Sequence, residues 1–111
     1  MSPKSHVREE QRAPRLKLGG SVLALIILEN GRQVRAKVHQ LSINGGQLQL
    51  EKPLDEGIVV TVVFHVGSSF RLKSELLFPM WATNGYLQPF RFDELPAKEQ
   101  QRLQGELKKL L

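Results

Sequence analysis

Residues 16–39, LKLGGSVLALIILENGRQVRAKVH, decide the fold. Leu16, Leu18, Val22, Ala24, Ile26 and Leu28 share one parity, and in a strand one parity is one face. Gly19-Gly20 interrupts that run, which predicts a bulge or bend. Asn30-Gly31 predicts a hairpin with a type I′ turn, in which both central positions need positive φ. From Gln33 to His39 the chain alternates Val34, Ala36 and Val38 against Arg35 and Lys37, so the second strand has one apolar and one cationic face.

Further along, the same signals repeat. Leu41-Ser42-Ile43-Asn44-Gly45-Gly46 breaks the alternation and predicts a turn, after which Leu48 and Leu50 carry a short strand. Pro53 to Gly57 is a second turn. Ile58 to Val66, rich in Val, Ile and Phe, is a strand. Gly67-Ser68-Ser69 turns into Phe70, Leu72, Ser74, Leu76 and Phe78, which alternate again. Trp81 opens the next strand and is expected in the core rather than as a stacking surface. Asn84-Gly85 gives another tight turn, and Tyr86 to Phe92 returns. The period then changes. Pro96 suits the first turn of a helix. Leu103, Leu107, Leu110 and Leu111 fall on one helical face, and Lys108 and Lys109 suit the dipole of its last turn. Gly105 weakens this helix without abolishing it.

Six or seven short strands followed by one helix predict a mainly β protein. A closed or nearly closed antiparallel barrel over residues 16–93 removes the exposed edges that so many short strands would create. The helix, residues 95–111, is expected to pack on it by the leucine stripe. Residues 1–15 have no hydrophobic periodicity and are expected to form a flexible basic arm, making a single domain overall.

Composition narrows the function. The chain has 111 residues, enough for one core, with no cysteine, so disulfides, thiolate metal sites and a cysteine nucleophile are excluded. No run approaches the ~18 apolar residues of a membrane span. The N-terminus lacks the apolar centre of a signal peptide. The expectation is a cytoplasmic protein with no membrane insertion. His6, His39 and His65 have no partners at metal-ligand spacing. No Ser/His/acid set is legible and no glycine loop precedes a helix, so the chain is expected not to be an enzyme and to need no cofactor. A net charge of +5 favours an anionic partner.

Two segments hold candidate binding residues: the arm with Arg8, Arg12 and Arg15, and the turn Gln40-Leu41-Ser42-Ile43-Asn44-Gly45. Their layout resembles the PilZ domain family, bacterial receptors for cyclic di-GMP. That family places an RxxxR segment just before a six-stranded barrel, a [D/N]xSxxG motif in the turn after the second strand, and usually a helix after the barrel. Gln11-Arg12-Ala13-Pro14-Arg15 stands at the first motif and Gln40 to Gly45 at the second, with Gln11 and Gln40 as departures. A literal Arg8-Glu9-Glu10-Gln11-Arg12 match lies three residues earlier. Trp81, the Gly85 turn and Phe90-Arg91-Phe92 before the helix also match the family's ending.

The resemblance implies a cyclic di-GMP site made by Arg8, Arg12, Arg15, Gln40, Ser42 and Gly45. Arginine pairs phosphate oxygens or the O6/N7 edge of guanine bidentately and stacks on bases. An acceptor at position 40 takes protons from the guanine edge, Ser42 adds a hydroxyl, and Gly45 admits close backbone approach. A carboxylate at position 40 would bond about twice as strongly as the neutral Gln40 amide. Removing one good bidentate pairing costs ~1–3 kcal/mol. The rival readings are a solvated terminal arm and an ordinary glycine turn. On the first reading the chain is a signalling receptor whose surface changes for a protein partner in motility, pilus or exopolysaccharide machinery. On the second it is an adaptor of the same fold that does not bind the dinucleotide. Binding of nucleic acid through Arg32, Arg35 and Lys37 ranks third, because the aromatics alternate as core residues.

Overall fold

A computed structural model describes residues 15–110. Arg8 and Arg12 lie outside the described residues. The elements are β1 (Leu16–Ile27), β2 (Gln33–Ser42), β3 (Gly45–Leu50), β4 (Val59–Val66), β5 (Ser68–Leu76), β6 (Met80–Ala82), β7 (Gly85–Phe92) and α1 (Ala97–Lys109). Neighbours run antiparallel in the order β3-β2-β1-β4-β5-β7, and β3 pairs with β7 to close a six-stranded barrel. The seventh strand, β6, adds to β7. The predicted barrel followed by one helix is what forms.

The parity predicted for β1, β2, β3 and β5 selects the interior there, and Leu41 and β4, read only as a turn residue and an apolar strand, join it. Ala24 and Ile26 of β1, Ala36, Val38 and Leu41 of β2, Leu48 and Leu50 of β3, Val60, Val62 and Phe64 of β4, and Phe70, Leu72 and Leu76 of β5 are buried together. Helix α1 adds Leu103 and Leu107 to this core, each contributing ~1.5–3 kcal/mol on full burial. Leu110 stays 51% exposed, so the leucine stripe is shorter than predicted. The helix is tied to the β4–β5 turn by Arg102. Its guanidinium lies 4.2 Å from the Phe70 ring centre and donates to the Ser68 hydroxyl at 2.8 Å and the Ser69 carbonyl at 3.0 Å. The same guanidinium bonds Glu99 and holds its carboxyl below the ordinary carboxylate range, chiefly through that hydrogen bond.

Several local predictions need correction. At Asn30-Gly31 only Gly31 has positive φ (88°), and Leu28 donates to Arg32 O at 2.8 Å. The loop therefore holds three residues, Glu29 to Gly31, with the glycine as bulge and the Asn30 side chain accepting from Arg32 N. Leu41 and Ser42 belong to β2 and Gly45 and Gly46 to β3, which leaves only Ile43-Asn44 as the turn. Ser68 and Ser69 lie in β5. The second tight turn is Thr83-Asn84, because Ala82 pairs with Gly85.

Phe78 and Trp81 are not core residues; they are 67% and 85% exposed. Leu76 pairs with Phe90 and Met80 with Leu87, so the β5–β6 path has one residue more than β7 between these pairs. That bulge flips the parity and turns Phe78 outward. Trp81 pairs with Tyr86, which pairs with the buried Leu50, and so keeps the inward parity. The β6–β7 hairpin runs past the rim, however, and no opposite wall covers the indole. Trp81 instead packs on Tyr86, with ring centres 5.3 Å apart.

Candidate functional site

The first strand begins at the second strand's far end. Leu16 pairs with Leu41 and Lys17 with Gln40, so the register sets Arg15 beside Ser42. The arm's last arginine thus stands at the β2–β3 turn, the juxtaposition the two sequence motifs require. Arg15 is exposed.

Between Lys17 and Val22 the register shifts, as Gly19-Gly20 predicted. Both glycines have positive φ, 61° and 84°, so the backbone arches out. On β2 the matching irregularity is His39, left over between the Val38–Leu48 and Gln40–Gln47 pairs. Because of it, Gln40 faces outward although Val38 and Leu41 both face the core. Gln40 is half-buried between Lys17 of β1 and Gln47 of β3. Lys37 and Gln49, the next outward pair, come up to Gly20: a Cβ there would lie 3.5 Å from Lys37 Cδ and 3.6 Å from Gln49 Oε1. The outer surface around Arg15 therefore presents Lys17, Lys37, Gln40, Gln47 and Gln49, two cations and three amides.

Ser42 and Gly45 occupy different environments. The Ser42 side chain is buried, its hydroxyl accepting from Asn44 N at 3.1 Å and donating to Gly45 O at 3.4 Å. It shapes the two-residue turn from inside. Gly45 has φ 151°, and a Cβ would run into the Phe90 carbonyl of β7. Its close backbone approach is to the strand that closes the barrel. Gly46 is confined likewise by the Gln40 carbonyl.

Of the predicted site residues, Arg15, Gln40, Ser42 and Gly45 come together at one end of β1, β2 and β3, with Arg15 and Gln40 presented outward. Sequence reasoning missed Lys17. The signal was available: Lys17 alternates with Leu16 and Leu18, which face inward, so it must face out directly after the arm. Among the described residues no group of three or more His, Asp or Glu side chains could hold a metal ion, and no helix is long and apolar enough to cross a membrane.

No protein-family model and no curated protein matches the sequence. Solved structures do match. Escherichia coli YcgR in complex with c-di-GMP superposes with a TM-score of 0.79 at 19% identity, over 90% of this chain and 45% of YcgR. The PilZ domain of E. coli YcgR with c-di-GMP gives 0.68 at 22% identity, over 85% of this chain and 86% of the domain. The Bacillus subtilis inhibitor of motility MotI gives 0.73 at 14% identity, over 90% and 51%. The chain spans about half the length of the YcgR and MotI chains it matches. The fold is that of a PilZ domain.

Proposed function

We propose that this chain is a PilZ-type receptor module for cyclic di-GMP, in which the arginine arm closes over a ligand seated on the outer face of β1, β2 and β3. The observation that carries this reading is the Leu16–Leu41 pairing, which sets Arg15 next to the β2–β3 turn and Lys17 against Gln40. A dinucleotide with two phosphates and two guanines suits such a surface. Arg15 and Lys17, with Arg12 and Arg8 from the arm, supply charge and bidentate donors. Gln40 accepts from a guanine edge. Closure of a segment onto a ligand is a standard way to change the surface a partner meets. The fold shared with c-di-GMP complexes of YcgR at TM-scores of 0.79 and 0.68 supports the reading. As a signalling adaptor it acts through binding, not catalysis, in the cytoplasm.

A second reading, an adaptor of the same fold that does not take the dinucleotide, is favoured by one observation. The Ser42 hydroxyl already serves Asn44 N and Gly45 O, and Gln40 is a neutral acceptor. Isothermal titration of the chain with cyclic di-GMP, with GTP as control, separates the two. Micromolar binding confined to the dinucleotide supports the receptor; no heat at millimolar ligand supports the adaptor.

A further inference from the structure

The outer wall formed by β2, β1, β4 and β5 carries a second surface, which meets the proposed ligand surface only at Lys37. Arg35, Leu25, Val63 and Arg71 stand in one row across these four strands. Gln33, Ile27, Thr61 and Lys73 form the next row. On the other side Lys37 pairs with Leu23, and His65 with Ser69. The two middle strands thus turn Leu23, Leu25, Ile27 and Val63 outward, while the two flanking strands turn out Arg35 and Lys37 on one side and Arg71 and Lys73 on the other. All four cations are exposed.

This pattern breaks the usual rule for a barrel exterior, where the outward parity is polar. Leu23 is 69% exposed. Leu25 and Val63 are half-buried along a depression of about 390 Å³, whose polar lining is Arg35, His65 and Ser69. No carboxylate occupies these rows. Glu75, one position beyond Lys73 on this parity, is held by Arg91 of β7, and Glu99 by Arg102. Among the described residues none of the four cations forms an ion pair with a carboxylate.

The dimensions select the partner. Strands lie ~4.8 Å apart, so β2 and β5, three steps from each other, set their cations ~14 Å apart. An α-helix with its side chains is ~10–12 Å wide and fits between them. Leu23 to Ile27 spans ~14 Å of strand. That equals about nine residues of helix, room for apolar anchors at i, i+3 or i+4, and i+7.

We propose that this face docks an amphipathic helix of a protein partner, its apolar stripe on Leu23, Leu25 and Val63, its flanking carboxylates on Arg35 and Lys37 along one side and Arg71 and Lys73 along the other. Charge complementarity argues for the acidic flanks and the apolar floor for the stripe. A bilayer surface matches less well, because Leu25 and Val63 sit in a depression rather than project. Nucleic acid matches less well again, because this outer face offers no Phe, Tyr or Trp ring for base stacking and its floor is aliphatic. The proposal stands whether or not the chain binds a nucleotide.

The test uses the full chain and a fluorescein-labelled synthetic peptide of 15 residues (roughly four helical turns), with leucines on one face and glutamates flanking them. A peptide of the same composition with the pattern scrambled is the control. Anisotropy gives affinity, and amide chemical shifts give location. The patterned peptide is expected to bind, with perturbations centred on Leu23, Leu25 and Val63, and the scrambled one at least tenfold more weakly. The double variant Arg35→Glu/Arg71→Glu is expected to weaken binding at least tenfold. Should it not fold, by circular dichroism, Arg35→Gln/Arg71→Gln replaces it, with a smaller loss in the same direction. Equal binding of both peptides, shifts on another face, or unchanged affinity in the folded variant would overturn the proposal. So would binding to phosphatidylglycerol vesicles or single-stranded DNA without binding to the patterned peptide.

Discussion

Leu16 pairs with Leu41 across the first ladder, and that one pairing brings the end of the arginine arm to the turn between β2 and β3. Everything proposed for the ligand site depends on it. Replacing Leu41 would test the core, since it is fully buried; replacing Arg15 tests the site.

Arg15→Ala removes an exposed side chain that has no hydrogen-bond partner among the described residues, so the fold should not change. Without one bidentate pairing to phosphate or guanine, binding weakens by ~1–3 kcal/mol, or about 5- to 150-fold in affinity. Calorimetric titration with cyclic di-GMP beside a thermal melt checks both halves. A melt within ~0.5 kcal/mol of wild type is expected. Unchanged affinity would remove Arg15 from the site.

Gln40 faces outward beside Lys17 and is neutral. Gln40→Asp should strengthen dinucleotide binding about tenfold, because a carboxylate acceptor makes a charge-assisted bond roughly twice as strong as the amide's. Lys17 competes for the new carboxylate and the ligand's phosphates repel it, so the gain should be smaller at low salt, where both effects are less screened. Titrations at two ionic strengths check this. Weaker binding at both would mean that position 40 does not contact guanine.

Trp81 contributes little to folding despite its size. It is 85% exposed and touches Tyr86 beyond the barrel rim. Trp81→Ala is expected to change stability by less than ~1 kcal/mol, whereas a buried tryptophan would cost ~3–5 kcal/mol. Urea denaturation of the variant distinguishes these outcomes.

Gln88 does the opposite. It is fully buried, accepts from Leu54 N at 2.8 Å, and donates to Leu54 O at 2.7 Å and Leu77 O at 3.0 Å. It thereby pins the Pro53–Gly57 turn and the β5–β6 bulge to β7. Gln88→Leu leaves three backbone groups without their partner, each worth ~1–3 kcal/mol when buried. A loss of about 3 kcal/mol in urea denaturation is expected, with no change in dinucleotide affinity.

The barrel was legible in the sequence because its interior is written in parity. Ala36, Val38, Phe70 and Leu72 alternate with Arg35, Lys37, Arg71 and Lys73 and are buried, and Ala24 and Ile26 share the one buried parity of β1. The Gly19-Gly20 bulge was legible for the same reason, as a break in that parity. Positions set by one inserted residue were not. The β5–β6 bulge turns Phe78 out, and the overhang of the β6–β7 hairpin leaves Trp81 uncovered, because parity records a face but not whether another wall stands opposite. The candidate site shows the same division. That Gln40 to Gly45 joins the second and third strands followed from pattern, although Gln40 to Ser42 still belong to the second. That Gly45 serves the passage of β7 depended on a strand more than forty residues away along the chain, whereas the Ser42 hydroxyl is held by its own loop, at Asn44 N and Gly45 O.

The central claim, that the end of the arm and the β2–β3 turn form one dinucleotide site, is tested most directly by titrating the isotopically labelled chain with cyclic di-GMP and following backbone amides. Perturbations that saturate at micromolar ligand and cluster at Arg15 to Lys17 and Gln40 to Gly46, absent with GTP, are the predicted result. Saturating shifts elsewhere on the barrel, or none at millimolar ligand, would contradict it.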